Sequence, residues 1–268
     1  MSLLESILLG ILQGFTEFLP VSSSGHLVLA QHFWGIEQPG ISFEIIVHLG
    51  SLVAVLLYFH KTILELVGSA FKIFSKNKSR HDINNLKIIA YLFIATIATA
   101  VLGLAFKDKF EAIYQMPLVV AIALSVTGVI IFFSDKIPNG ELEDNNIGIM
   151  KSILIGVGQA IAIIPGISRS GTTIATSLFC KMKREHAARF SFLLSIPAIM
   201  GAAILDLRNF EAIESTLLVK YLAGAAAAFV SGFVVIAFLI RLIQNRKLKY
   251  FAYYCWVISL VSIAFILF

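Results

Sequence analysis

The chain predicts an all-α integral membrane protein, an inverted-topology repeat with six transmembrane helices plus two re-entrant helical hairpins. Three observations lead there. Of 268 residues, 58% are hydrophobic and 14% charged, whereas a soluble domain carries about 25% charged residues. Uncharged runs occupy 88–106, 112–134, 221–240 and 250–268, each near the roughly 20 apolar residues that a spanning helix requires. Finally, ILLGILQGFTEFLPVSSSGHLVLA at 7–30 is echoed 146 positions later by ILIGVGQAIAIIPGISRSGTTIAT at 153–176. On that shift Gly10 meets Gly156, Gln13 meets Gln159, Ser22 meets Ser168, Ser24 meets Ser170 and Gly25 meets Gly171.

The elements follow in order. Residues 1–137 form the first repeat: an interrupted segment, 6–36, then spans near 43–59, 88–106 and 117–134. Residues 147–268 form the second: an interrupted segment, 152–180, then spans near 190–205, 221–240 and 250–268. The acidic linker PNGELEDNN, 138–146, joins them into a single membrane domain. Each half has an odd number of full spans. If the interrupted segments do not cross, the halves sit in opposite orientations. The stretch before Pro20 gives only about 20 Å of helix at 1.5 Å per residue, short of a hydrocarbon core of about 30 Å. VSSSGH then breaks the helix and restarts it around Ser24 to His26, because Ser is a strong N-cap. IPGISRSGTT repeats that logic. Irregular backbone at membrane depth survives only when buried in protein or lining a water-filled cavity. Two hairpins from opposite faces therefore meet tip to tip, and their restarting helices aim free N–H groups at one point, an anion site.

Loop charge sets the expected orientation. The loop 60–87 carries Lys61, Lys72, Lys76, Lys78, Arg80 and Lys87 against Glu65 and Asp82. The stretches 181–189 and 241–249 are also basic, while 107–116 and 206–220 are near neutral or acidic. The positive-inside bias makes the three basic loops cytoplasmic, which puts both termini outside. Glu5 stands where a secretory signal has a basic region, so the start is read as part of the membrane domain. Cys180 and Cys255 lie in apolar surroundings and read as buried thiols. The net charge of +5 suits loops at an anionic membrane surface. No basic face with base-reading groups is present, so nucleic acid is excluded as a partner.

Ionisable groups in membrane segments are functional candidates. Arg169 has no charged neighbour between Lys151 and Lys181; it reads as a phosphate clamp, since guanidinium is a permanently charged fork of donors. The competing reading is a structural ion pair with Glu17. His26 suits acid–base or nucleophilic work and competes with a capped core histidine. Glu17, one turn before the break, is paired, metal-bound or both. Ser22, Ser23 and Ser24 offer substrate contacts or helix caps. Ser168, Ser170, Gly25, Gly171 and Thr173 extend the substrate-binding set along both motifs. Gln13 and Gln159 project inward and also fit plain interhelical hydrogen bonds. Glu44 and His48, one helical turn apart, divide evenly between site lining and interface.

QGFTEFLPVSSSGHL at 13–27 and PGISRSGTT at 165–173 closely resemble the two signature motifs of the undecaprenyl-diphosphatase, or bacitracin-resistance, family. FEIIVHLGSLVAVL at 43–56 and FSFLLSIPAIMGAAILDL at 190–207 extend the resemblance along the chain. The resemblance implies a multi-pass enzyme of the bacterial cytoplasmic (inner) membrane. It removes the terminal phosphate of a polyprenyl diphosphate, undecaprenyl diphosphate, to recycle the lipid carrier, and uses a divalent cation, Mg²⁺ or Ca²⁺. It carries catalytic roles to Glu17, Ser23, His26 and Arg169, with Glu17 the metal ligand. Many relatives have a second Glu where this chain has Gln13, so the metal site here is expected to be leaner. Ser23, His26 and an activated water all remain open as the attacking group. Another membrane lipid-phosphatase superfamily shares a Ser-Gly-His and a Ser-Arg, but its pattern needs a His at 175, which is Ala, and an acid at 179, which is Phe. An inverted-repeat transporter or lipid flippase is the alternative from another class. Membrane lipids are expected partners, and the chain leaves a homodimer open.

Overall fold

The structure, a computed structural model, describes residues 1–36, 41–206 and 215–268. The chain runs through α1 (Leu3–Phe18), α2 (Ser23–Trp34), α3 (Ile41–Tyr58), α4 (His60–Phe71), α5 (Arg80–Ala105) and α6 (Lys107–Tyr114). It continues through α7 (Pro117–Asp135), α8 (Ile149–Ile161), α9 (Arg169–Phe179), α10 (Arg184–Asp206), α11 (Ser215–Gln244) and α12 (Lys249–Leu267). Five helices among the described residues are long and apolar enough to cross a membrane, or six if α3 and α4, bent by 79°, count as one broken span. The protein is an all-α, multi-pass membrane protein. Most of the expected loop 206–220 falls on residues outside the described set.

Two connections contain more helix than their sequence suggested. The basic loop 60–87 begins with α4, and the loop 107–116 holds α6. Both helices are short and mix charge with apolar residues, so neither shows the long uncharged run that marks a span.

Close backbone approach organises the packing. α1 lies along α11, and α8 lies along α5. In lipid, helices associate where small residues let their backbones meet. A Cβ on Gly10 would collide with the Gly224 carbonyl, and one on Gly156 with the Ala95 carbonyl. These two glycines are the pair matched by the 146-residue shift. Phe18 anchors the end of α1 in the main apolar cluster, edge-on to Phe192 with ring centroids 5.9 Å apart.

The linker after α7 is strapped to the turn between α9 and α10. Leu142 pairs with Met182 through Leu142 N–H to Lys181 O at 3.1 Å and Lys183 N–H to Leu142 O at 2.8 Å. Arg189 donates to both oxygens of Asp144 at 2.6 Å, and His186 Nδ1 lies 3.0 Å from Asp144 Oδ1. Arg184 donates to the carbonyls of Asp135 and Ile137 at 2.9 Å. The Asp135 carboxylate in turn accepts from the backbone of Leu248 and Lys249. The linker, 181–189 and the start of α12 thus share one face.

Burial alone would raise the Asp144 carboxyl, but the His186 hydrogen bond and the Arg189 charge outweigh it and hold the group below the usual carboxylate range. A depressed folded value stabilises the protein above the unfolded value of about 3.9, and that stability is lost as pH falls through the folded value. Asp144→Asn should cost about 1–3 kcal/mol at pH 7. Thermal unfolding in detergent should show the gap from wild type narrowing below about pH 4.

Candidate active site

The two helix breaks touch each other. A Cβ on Gly25 would press on Gly166, and one on Gly171 on Pro20. Ser170 Oγ donates to the Leu19 carbonyl at 3.0 Å. Thr127 Oγ1 donates to Gly166 O at 2.8 Å and accepts from Ser168 N–H at 2.9 Å. Gly166 takes φ +94°, a backbone that favours glycine.

Each break restarts a helix behind a serine cap. Ser22 Oγ accepts from Gly25 N–H at 3.3 Å, and Ser168 Oγ accepts from Gly171 N–H at 3.0 Å. α2 therefore begins at Ser23, one residue earlier than the sequence suggested. Ser22 sits at φ +67°, a conformation that costs a non-glycine residue about 1–3 kcal/mol and concentrates at functional sites. Ser23 and Arg169 are the first residues of α2 and α9, and the 146-residue shift superposes them.

Both meet at Glu17, which is buried in the last turn of α1. Its Oε1 accepts from Arg169 Nη2 at 2.5 Å. Its Oε2 accepts from Ser23 Oγ at 2.6 Å and Gln13 Nε2 at 2.9 Å. His48 Nε2 lies 3.6 Å from the same oxygen. Buried polar atoms normally find partners. Arg169 Nη1 and Gln13 Oε1 have none among the described residues; of the two residues, Arg169 reaches the cavity, so it brings a spare donor to the site. A cavity of about 260 Å³ opens beside the pair. Ser22, Ser23, Ser24 and Ser168 line it together with Glu17 and Arg169, and Glu44 and His48 come from α3. Ile163, Ile167 and Ile199 make its apolar side.

The remaining sequence candidates separate from this group. His26 turns toward α12: its Nδ1 bonds the Ser22 carbonyl at 2.8 Å and its Nε2 the Tyr254 hydroxyl at 2.9 Å. The ring lies at the edge of a second, apolar groove between α1, α2 and α12. Thr173 is fully buried against Ser191, 2.6 Å away. Gly25, Gly171 and Ser170 serve the contact between the breaks. Gln159 donates to Thr99 at 3.0 Å, an interhelical hydrogen bond. His48 joins the site from α3. Its one-turn spacing from Glu44 was the available signal, but spacing alone does not say which element a face meets.

A carboxylate–guanidinium pair between two capped helix starts, with a spare buried donor and a cavity beside it, defines a membrane protein built to receive an anionic headgroup. The chain belongs to the bacitracin resistance protein BacA family, whose sequence model matches residues 6–261. It is similar to the undecaprenyl-diphosphatase of Methanobrevibacter smithii, 40% identical over 97% of this chain and 96% of that protein. The undecaprenyl-diphosphatase of Syntrophotalea carbinolica is 44% identical, with 97% of each chain covered. Undecaprenyl-diphosphatase 1 of Shouchella clausii is 39% identical, with 99% of this chain and 97% of the relative covered.

Lysine at position 169 would keep one charge but lose the planar fork that can grip two oxygens of one anion. Arg169→Lys should therefore lower kcat/KM nearly as far as Arg169→Ala, by about 10²–10³-fold. Steady-state phosphate release on both variants checks this; near wild-type rates in the Lys variant would show that charge alone suffices.

Proposed function

We propose that this cavity hydrolyses undecaprenyl diphosphate to undecaprenyl phosphate and inorganic phosphate. The reaction returns the lipid carrier to peptidoglycan synthesis and confers bacitracin resistance. One observation carries the mechanism: Glu17 holds the Ser23 hydroxyl on one oxygen and the Arg169 guanidinium on the other. Family membership and the named relatives support the substrate.

Ser23 is the nucleophile and Glu17 its base. The serine proton passes to Glu17 as Oγ attacks the terminal phosphorus and the anhydride bond breaks. Glu17 returns that proton to the departing undecaprenyl phosphate, then takes one from the water that attacks the phosphoserine and passes it to the departing Ser23 Oγ, so that phosphate leaves and both side chains are restored. Arg169 leaves Glu17 for the phosphate oxygens, where its unpartnered Nη1 adds a second donor. Ser22, Ser24 and Ser168 contact the phosphate oxygens from the cavity wall, while the N–H groups of Gly25 and Gly171 are already taken by the caps. Ser170 and Thr173 brace α9, and Gln13 orients Glu17. Through Tyr254, His26 fixes the start of α2 and so the direction of Ser23. The polyprenyl tail lies in the apolar groove of about 810 Å³ between α1, α2 and α12.

A divalent cation, Mg²⁺ or Ca²⁺, belongs to the same proposal. Such ions take oxygen ligands, and the Glu17 carboxylate, which lines the cavity, is of that kind. When bound, the ion neutralises charge on the phosphate oxygens. Once Arg169 turns to the substrate, Glu17 would otherwise face an anion with its charge uncompensated.

The halves are inverted repeats in the cytoplasmic membrane, with both termini outside. The reciprocal packing of α1 on α11 and α8 on α5, through matched glycines, supports the repeat. Glu44 and Tyr114 line the cavity near the ends of α3 and α6 that this orientation puts outside.

Rapid quench with labelled diphosphate should trap acid-stable, base-labile label in the wild-type enzyme and none in Ser23→Ala. Acid-labile, base-stable label would make a histidine the nucleophile instead. Glu17→Gln should lose about 10²–10⁴-fold in rate.

For the topology, Asn77→Cys should be shielded from impermeant thiol reagents in intact cells, and Asp108→Cys should react. The two native cysteines are buried and give little background. The reverse pattern would invert the proposed orientation.

A further inference from the structure

The short helix α4 carries two apolar faces, and the protein covers only one of them. Leu66 and Ser69 face inward and are buried, with Ile63 and Ala70 partly covered beside them. Leu64, Val67, Phe71 and, just past the helix, Phe74 recur at spacings of three and four, which aligns them on one side of a helix. All four are exposed, Phe71 at 86% and Phe74 at 94%. Ile73 adds a further exposed apolar side chain.

The stripe is held rigidly. Ser69 Oγ donates to Asp82 Oδ1 at 3.2 Å, and Lys72 Nζ lies 3.0 Å from the same oxygen. Asn85 Nδ2 donates to Ser69 Oγ at 3.0 Å. Asp82 also closes the capping box with Ser79 that starts α5. α4 is thus bolted to the first turn of a spanning helix, and it leaves the end of α3 at 79°. A helix nearly perpendicular to a span, fixed level with the end of another, runs along the plane of the membrane at its edge.

Basic residues surround the stripe. Among the described residues Lys61, Lys76, Lys78 and Arg80 make no ion pair, and Lys61, Lys76 and Arg80 are exposed. An amphipathic helix with aromatic and aliphatic residues on one side and cations at its border lies in the interface, its apolar side sunk to the acyl boundary. Its cations then meet lipid phosphates, and each is worth several-fold in affinity for an anionic surface.

We propose that α4 and the segment to Arg80 form a docking surface for anionic lipid headgroups. Leu64, Val67, Phe71 and Phe74 enter the acyl boundary, and Lys61, Lys76, Lys78 and Arg80 bind the phosphates above them. The surface pins the end of α3, the helix that brings Glu44 and His48 to the cavity.

The test uses the full chain in vesicles of phosphatidylcholine, with or without phosphatidylglycerol. An environment-sensitive dye is attached in turn to Phe71→Cys and to Glu65→Cys, on the polar side. At position 71, nitroxide lipids labelled near the headgroup should quench more than those labelled at the bilayer centre. At position 65, aqueous iodide should quench instead. Stronger quenching of the position-71 dye from the bilayer centre would overturn the proposal, because α4 would be part of a span. Its quenching by iodide alone would place the stripe in water. Protection from both quenchers would mean that protein, such as a second copy, covers it. The charge component is read separately. Phosphatidylglycerol retained through delipidation should fall by roughly fivefold in affinity for each cation removed in Lys61→Gln, Lys76→Gln and Lys78→Gln. Unchanged retention in the triple variant would refute anionic recognition.

Discussion

The contact between Glu17 and Arg169 holds this molecule's chemistry together. A carboxylate and a guanidinium are costly away from water unless each completes the other. Here the two come from opposite halves of the chain, at breaks that are themselves irregular backbone inside a membrane protein. The pair fixes how the two breaks meet, and the breaks position the pair. Removing either partner would strand the other as a buried charge, so sensitivity at these positions mixes folding with function.

The surrounding structure keeps that contact in register. Phe18, next in sequence to Glu17, is locked against Phe192 and directs Glu17 to the other side of α1. Serine caps satisfy the restarting helices, and Thr127 stitches the second break to α7. Far from the cavity, the strap through Asp144, Arg184 and Arg189 ties the linker to the entry of α10. Much of the charge in the basic stretch 181–189 is therefore spent on internal pairs with Asp135, Glu143 and Asp144.

Long-range hydropathy and helix-breaking chemistry were legible in the sequence because both are local. Uncharged runs marked the spans, and Pro20, the serines and Gly166 marked the breaks. The ion pair between Glu17 and Arg169 was readable as a competitor to the phosphate clamp; the structure forms that pair and leaves Arg169 Nη1 without a partner among the described residues. What the sequence hid was direction. Ser23 and His26 lie within one turn, yet the ring of His26 is drawn to Tyr254, more than two hundred residues away, while Ser23 turns to Glu17. His48 reaches Glu17 only because α3 packs against α1. α4 escaped notice because Lys61, Glu65 and Lys72 divide its apolar residues into runs too short to read as a span.

The superposition of Ser23 on Arg169 bears on how such a protein can arise. Two identical copies of one segment, meeting tip to tip, would place the same residue at both helix starts. They would make a symmetrical pocket with two serines or two arginines, and neither brings a hydroxyl and a guanidinium to one carboxylate together. Joining the copies in one chain lets each diverge alone. Glu17 has Ile163 as its counterpart and His26 has Thr172. On the proposed repeat, duplication followed by specialisation would exchange two equivalent half-sites for one asymmetric site, and the tandem chain is the form in which that asymmetry would be inherited.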